Sequence, residues 1–474
     1  MLAGYQLLVK VNISQNKFSL AIQTCEKILA QQNDKDTLWQ MARLLSWTND
    51  FTNSIACYDR LIELDPEFIS AYIEKARVLV WNGQYELSLQ AYEEAYARFG
   101  LLWIKNELLG KKNLFNQRPE SAVQYFEDSL AENPQNEEIL FDLAQLFSQV
   151  GDYEKAQKYY ELLIARFPYH TPGRSSQLKA QIRKDHLQAK VGYNLWQPTS
   201  AERMTELNLQ TFYANLTKNL NNNWTLSSSG TKTSYAYPGS VISTETGWGV
   251  NLVYNEPLNK GAGGGITFKS LASGNPLNQF YSYYWQRLQD GLNLNINVNK
   301  DNLVNNFHNL ANDVNDTYCQ SSLTYYLDRI FTIQADVRFG FINDGNNYNI
   351  AGLNARINHL SLPLNLYSSW RIERQNYQTT SSFYYAPTAY FAYSGLLGFK
   401  HEIGPEGIFY GAKETYYEII CKIIYDSNQE LALQPLIQFC HDATQSDKVR
   451  LALGRTTSKY YSDVTASFEY VKYL

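Results

Sequence analysis

The sequence predicts a two-part protein: an N-terminal α-helical solenoid and a C-terminal antiparallel transmembrane β-barrel of about 16 strands. Three observations carry this reading. Small and aromatic residues recur every 34 positions as far as residue 168. The hydrophobic period then falls from that of a helix to that of a strand after Lys190. Composition shifts at the same place, with 44 charged residues in the first 188 positions and 43 in the remaining 286, and 26 of the 37 tyrosines in the second part.

The expected boundaries are a solenoid over 1–170, a polar capping helix or linker over 171–188, and a barrel over 189–474. A net charge of -5 and a pI near 5.8 exclude a basic surface for nucleic acid. Cys25, Cys57, Cys319, Cys421 and Cys440 are odd in number and scattered, so they form neither a disulfide framework nor a metal spacing. Cys421 and Cys440 would be placed to pair if they lay on neighbouring strands. No run of eighteen apolar residues is present, so no transmembrane helix is expected. The opening "MLAGYQLLVK" reads as mid-helix, which suggests a chain that starts downstream of a leader.

In the first half, Ala42, Ala76, Gly110 and Ala144 keep the 34-residue step. So do Ser54, Ser88, Ala122 and Ala156, and so do Tyr58, Tyr92, Phe126 and Tyr160. Pro66, Gly100, Pro134 and Pro168 close each unit, and Phe18, Ala21 and Ile22 open a first unit one residue out of phase. Small residues let two amphipathic helices touch, an aromatic fills the gap between them, and proline stops the second helix. "DFTNSIACYDRLIELDP" (50–66) and "DYEKAQKYYELLIARFP" (152–168) resemble the tetratricopeptide repeat. That resemblance implies a concave scaffold for a protein or polymer partner, with no catalytic chemistry of its own.

In the second half, "GLNLNINVN" (291–299) puts Leu292, Leu294, Ile296 and Val298 on one face and Asn293, Asn295, Asn297 and Asn299 on the other. Residues 331–341 alternate in the same way, with Asp336 and Arg338 on the polar side; so do 351–358, with Asn354 and Arg356. Strand segments are expected from near 189, 205, 223, 244, 261, 278, 291, 316, 330, 347, 362, 388, 407, 429, 447 and 462. Most are of a length that crosses a bilayer at a tilt. In lipid an unpaired backbone group costs several kcal/mol, so such a sheet must close. The apolar faces are therefore read as lipid-facing and the polar faces as lumen. If the first strand rises from the side of the helices, odd connections should be the longer ones, the seventh and eleventh above all, and even ones such as "GPEG" (404–407) short. Tyr281, Tyr283, Tyr284, Trp285, Tyr325, Tyr326, Tyr416 and Tyr417 are read as interfacial girdles.

A repeat solenoid leading into such a barrel resembles the outer-membrane exporters of exopolysaccharides, of the cellulose-synthase outer-membrane subunit and poly-N-acetylglucosamine porin type. "YYAPTAY" (384–390) and the terminal "SFEYVKYL" fit that resemblance. It implies a monomeric channel in the outer membrane of a Gram-negative bacterium, surrounded by lipid, with periplasmic repeats that engage a protein or the polymer. Neutral amides and aromatic faces suit a neutral, hydroxyl-rich solute, and the candidate lumen residues are Asn293, Asn295, Asn297, Asn299, Asp336, Arg338, Asn354 and Arg356. Competing classes are a translocator of surface lipoproteins, which needs a lateral opening, and a receptor-like structural barrel. An enzyme is not expected, nor a cofactor or metal: His170, His186, His308, His359, His401 and His441 stand singly, and "GAGGGITF" (261–268) lacks the Lys-Ser/Thr of a phosphate loop.

Overall fold

The computed structural model describes residues 2–474 except 16, 169, 200–206, 238–239, 273–275, 304–305, 361–363, 383, 404–413 and 459–461. These residues form two compact units, Met1–Phe115 with Ser121–Ile139, and Asn116–Glu120 with Leu140–Leu474.

Among the described residues, eleven helices precede the sheet. They are α1 (Leu2–Ser14), α2 (Phe18–Leu29), α3 (Lys35–Trp47), α4 (Phe51–Leu64), α5 (Ile69–Trp81), α6 (Tyr85–Phe99), α7 (Leu102–Phe115), α8 (Pro119–Glu132), α9 (Glu137–Gln149), α10 (Tyr153–Arg166) and α11 (Thr171–Asp185). Asp34, Asp50 and Asp152 cap α3, α4 and α10, each accepting from a backbone N–H three residues on. His170 does the same for α11 through its ring Nδ1, so this lone histidine is a helix cap.

The 34-residue columns are the core. Tyr58, Tyr92, Phe126 and Tyr160 are at most 1% exposed, and Ala42, Ala76, Ala122, Ala144 and Ala156 are fully buried. Gly110 takes the alanine position because a Cβ there would fall 2.3 Å from the Phe126 ring. Ser54 donates its hydroxyl to the Ala42 carbonyl at 2.7 Å, which satisfies a polar group at the helix contact.

One charge is fully enclosed. Glu107 accepts from Arg77 at 3.0 and 3.2 Å, from the Tyr92 hydroxyl at 2.7 Å and from Asn136 at 2.6 Å. Burial and then the Glu107 charge push the Tyr92 hydroxyl well above its ordinary range. Burial works against the Arg77 charge, but Glu107, with Tyr92 and Glu138, more than offsets it and the guanidinium is held charged. Glu107→Ala is expected to destabilise the repeats by about 3–5 kcal/mol, because it leaves Arg77 buried without its partner. Urea unfolding followed by helical circular dichroism measures this, and an unchanged midpoint would contradict it.

The second period builds one closed sheet. Its strands are β1 (Gln188–Pro198), β2 (Asn208–Asn219), β3 (Trp224–Tyr237), β4 (Ser240–Glu256), β5 (Lys260–Leu271), β6 (Pro276–Gln289), β7 (Leu292–Asn302) and β8 (Asn315–Tyr326). They continue as β9 (Phe331–Ile342), β10 (Asn347–Asn358), β11 (Leu364–Tyr377), β12 (Tyr390–Glu402), β13 (Tyr416–Asp426), β14 (Leu431–Asp442), β15 (Asp447–Thr457) and β16 (Ser462–Tyr473). Each strand pairs antiparallel with its sequence neighbours, and β1 pairs with β16 from Gln188↔Tyr473 to Pro198↔Asp463. The ring has no free edge, as a bilayer requires. Among the described residues no helix is long and apolar enough to cross a membrane.

Fifteen strands begin within four residues of their expected starts. The exception is β13, expected near 407, which begins at Tyr416 because its ladder with β12 starts at the pair Glu402↔Tyr416. The short "GPEG" turn was assigned to residues 404–407, which lie outside the described residues, and the connection it belonged to runs from 403 to 415. The seventh and eleventh connections, 303–314 and 378–389, are long as expected, and the seventh contains a short helix, α12 (Phe307–Ala311), but the twelfth, 403–415, is longer still, against the expectation that even connections are short.

Within the second unit, α11 rests on the end of the barrel that carries the even-numbered turns. Lys179 and Asp442 form a buried ion pair at 2.9 Å, Gln445 donates to Ser175 at 2.8 Å, and Asn219 donates to the Arg183 carbonyl at 2.9 Å. The long seventh and eleventh connections therefore sit at the opposite mouth.

Candidate functional site in the barrel lumen

The two faces of the wall differ in chemistry. Phe339, Trp370, Leu397, Ile437, Leu453 and many like them point outward, with Leu453 63% and Trp370 61% exposed. So large an apolar belt around a closed sheet belongs in lipid. The alternate positions point inward and are mostly polar. Sixteen strands leave an open aqueous channel in barrels of this size.

All eight residues singled out from the sequence lie on the inner face. Asn293, Asn295, Asn297 and Asn299 stand opposite Thr324, Ser322, Gln320 and Tyr318 of β8. Asn293 accepts from Arg287 at 3.4 Å. Asp336 holds both Nη atoms of Arg371, at 2.6 and 3.0 Å, and Arg371 also grips Glu373 at 2.8 Å. Arg338 donates to Gln320 at 2.7 Å and lies 4.3 Å over the Tyr318 ring. Asn354 accepts from Ser369 at 2.6 Å, and Arg356 lies 3.8 Å over Tyr367. The eight are not one cluster: they extend over β7, β9 and β10 and join neighbours the sequence reading had not selected.

Chief among those neighbours are Arg371 and Glu373 and a series of carboxylates bridged by tyrosine and cation. Glu245 meets Lys269 at 2.9 Å and the Tyr235 hydroxyl at 3.0 Å. Glu469 meets Lys190 at 3.1 Å, Arg450 at 3.2 Å and the Tyr213 hydroxyl at 3.1 Å. Tyr367 donates to Glu418 at 2.8 Å and Tyr348 to Asp316 at 2.6 Å. Alternation alone marked these positions as inward; their pairing depends on register between strands. Where such charges are paired, the wall offers a permeating solute little free field.

Two expectations need correction. Tyr284, Tyr325 and Tyr417 lie on the lipid side, but Tyr281, Tyr283, Trp285, Tyr326 and Tyr416 face the lumen. Tyr281, Tyr283 and Trp285 pair with Gly265, Gly263 and Gly261 on one side and with Asn299, Asn297 and Asn295 on the other, which fixes their side of the wall. Cys421 and Cys440 do not pair: Cys421 sits opposite Pro435 on the outward face, whereas Cys440 sits opposite Tyr416 and Arg450 on the inward face, and both are free thiols.

At the mouth opposite α11 a connection packs against the inner wall. Leu310 of α12 packs against a cluster of Leu207, Tyr235 and Leu271, joined by Leu209 and Tyr237, and these belong to β2, β3 and β5 or lie beside them. The seventh connection thus folds back across the inner wall. On the other side, Tyr384 of "YYAPTAY" donates to Asp344 at 2.6 Å and accepts from Asn346 at 3.1 Å, which fastens the eleventh connection to the ninth.

These features define a repeat protein joined to a porin-like barrel of the outer-membrane type. Family models described as "Tetratricopeptide repeat" match residues 40–100 and 116–182, so the helical part contains such repeats. A solved structure titled "Bacterial polysaccharide outer membrane secretin" superimposes with a TM-score of 0.51 at 10% identity, covering 61% of this chain and 99% of that one. MamA from Desulfovibrio magneticus RS-1 matches 36% of this chain and 97% of its own at 18% identity and a TM-score of 0.26. Anaphase-promoting complex subunit 3 of Schizosaccharomyces pombe is 26% identical over 124 residues, and the match spans only 18% of that protein's length.

Arg371→Ala should leave Asp336 and Glu373 without their cation. The reversal potential of the reconstituted protein in a KCl gradient is expected to shift toward cation selectivity, and an unchanged potential would place these carboxylates away from the permeation path.

Proposed function

We propose that this chain is an outer-membrane channel through which a Gram-negative cell exports an exopolysaccharide of neutral sugars. The observation that carries the reading is the chemistry of the inner wall: amides, hydroxyls and aromatic rings, with its prominent carboxylates bridged to lysine, arginine or tyrosine. A sugar chain sheds bound water along its whole length as it enters a pore. Amide and hydroxyl groups replace those hydrogen bonds without the strong retention that an unpaired charge would impose. The fold shared with the polysaccharide secretin agrees with this reading.

On the same reading the repeats lie in the periplasm, where they dock a partner protein or guide the polymer, and the barrel works as a monomer without catalysing a reaction. A protein translocator would need a seam able to part. The β1–β16 ladder is continuous along the whole of β1, and nothing at that closure favours parting. In planar bilayers the purified protein is expected to conduct ions and to be blocked reversibly by neutral oligosaccharides, more strongly than by uronic-acid oligomers of equal length. An inserted protein that never conducts would instead support a structural or receptor barrel.

A further inference from the structure

The lumen is two-sided in charge. The eight strands β9 to β16 contribute Asp336, Arg338, Arg371, Glu418, Arg450 and Glu469, among others, to the inner face. Across the middle of β3 to β8 the inward positions are uncharged, through Ser227 and Ser229 on β3, Gly249, Asn251 and Val253 on β4, Gly261 to Thr267 on β5, Tyr281 to Trp285 on β6, Asn295 to Asn299 on β7 and Tyr318 to Ser322 on β8, with Glu245, Lys269 and Asp301 towards one mouth and Arg287 towards the other. This uncharged arc carries a regular element at its centre. Tyr281, Tyr283 and Trp285 occupy alternate positions of β6, and each is directly opposite an asparagine of β7: Asn299, Asn297 and Asn295.

The rings do not stand out into the channel. A Cβ at Gly261 would fall 2.2 Å from Trp285 Nε1, and one at Gly263 would fall 2.8 Å from the Tyr283 ring, so each ring lies over a glycine of β5. At Gly265 the same space is filled by Asn251, whose Oδ1 would be 1.7 Å from such a Cβ. Gly261 and Gly263 of "GAGGGITF" are thus seats for rings. They let the aromatics lie against the wall, half-buried, beside a row of amides.

From this arrangement we infer that Tyr281, Tyr283 and Trp285 of β6, with Asn295, Asn297 and Asn299 of β7, form a binding rail for a neutral sugar chain. The inference rests on the export reading and gives it a location. Sugar rings present C–H faces that stack on aromatics, and equatorial hydroxyls that amides meet as both donor and acceptor. Successive ring–amide pairs are about 7 Å apart along the strand, so a linear polymer would meet the same pair of chemistries again as it advances. No charged side chain stands in the rail's own rows from β3 to β8, which favours a neutral polymer over an anionic or cationic one.

The test is single-channel block by neutral and uronic-acid hexasaccharides, with heat-modifiable gel migration to verify folding. In Tyr283→Ala/Trp285→Ala the residence time of the neutral hexasaccharide is expected to fall about tenfold. Tyr283→Phe should retain it. Trp370→Ala, which removes a ring from the lipid face, should leave it unchanged. If the double variant does not insert, Asn295→Ala/Asn297→Ala removes the amides without disturbing ring and glycine, and carries the same expectation. Wild-type block that is equal in these variants, or lost equally in Trp370→Ala, overturns the rail and leaves the export reading standing. A wild-type channel that conducts but is never blocked by a neutral oligosaccharide overturns both.

Discussion

Backbone hydrogen bonding in lipid is the constraint from which the rest follows. A strand in hydrocarbon must give every N–H and C=O a partner, so the sheet has to return to its first strand. The β1–β16 ladder does this, and once closure is imposed each residue in a strand has only two choices, lipid or lumen. The exposed aliphatic and aromatic belt satisfies the first and the amide, hydroxyl and ion-pair lining the second. Closure also fixes the register of every strand against two neighbours, so inward side chains form columns and rows in place of isolated points.

Within that lattice glycine has a particular use. Gly192, Gly340 and Gly398 lie beneath Tyr213, Tyr348 and Tyr367, just as Gly261 and Gly263 lie beneath Trp285 and Tyr283. Each pair trades a side chain on one strand for a ring laid down from the next. The wall stays thin and the channel gains an aromatic surface without losing width. The helical unit solves a comparable problem in the opposite way. There the small residue and the ring interlock in a dry interior, as Gly110 and Phe126 do, and the one buried carboxylate is enclosed by four donor contacts.

Much of this was legible in the sequence. The 34-residue columns located the buried alanines and tyrosines, since neighbouring repeats meet through the same positions each time. Alternation placed all eight selected lumen residues on the inner face and fifteen strand starts within a few residues. The failures have two causes. Tyr281, Tyr283, Trp285, Tyr326 and Tyr416 were assigned to the rim because aromatic residues near strand ends suggest an interface, although their own parity pointed inward. Strand β13 was set too early because residues 404–415 carry enough apolar side chains to imitate a strand, whereas the ladder begins only where β12 can pair.

By itself the sequence determined the two periods, the point where one gives way to the other, an approximate number of strands and the sidedness of most residues within them. Those properties are local: a period can be read within a dozen residues. The tertiary structure alone decided which inward groups meet. Tyr213 and Glu469 are 256 residues apart and Arg371 and Asp336 are 35 apart, and no local pattern records either bond. It also decided that Leu310 of the seventh connection folds onto β2, β3 and β5, that Cys421 and Cys440 stand on opposite faces, and that Tyr283 and Trp285 of β6 lie over Gly263 and Gly261 of β5. Each depends on the register between strands, which exists only when the barrel is closed.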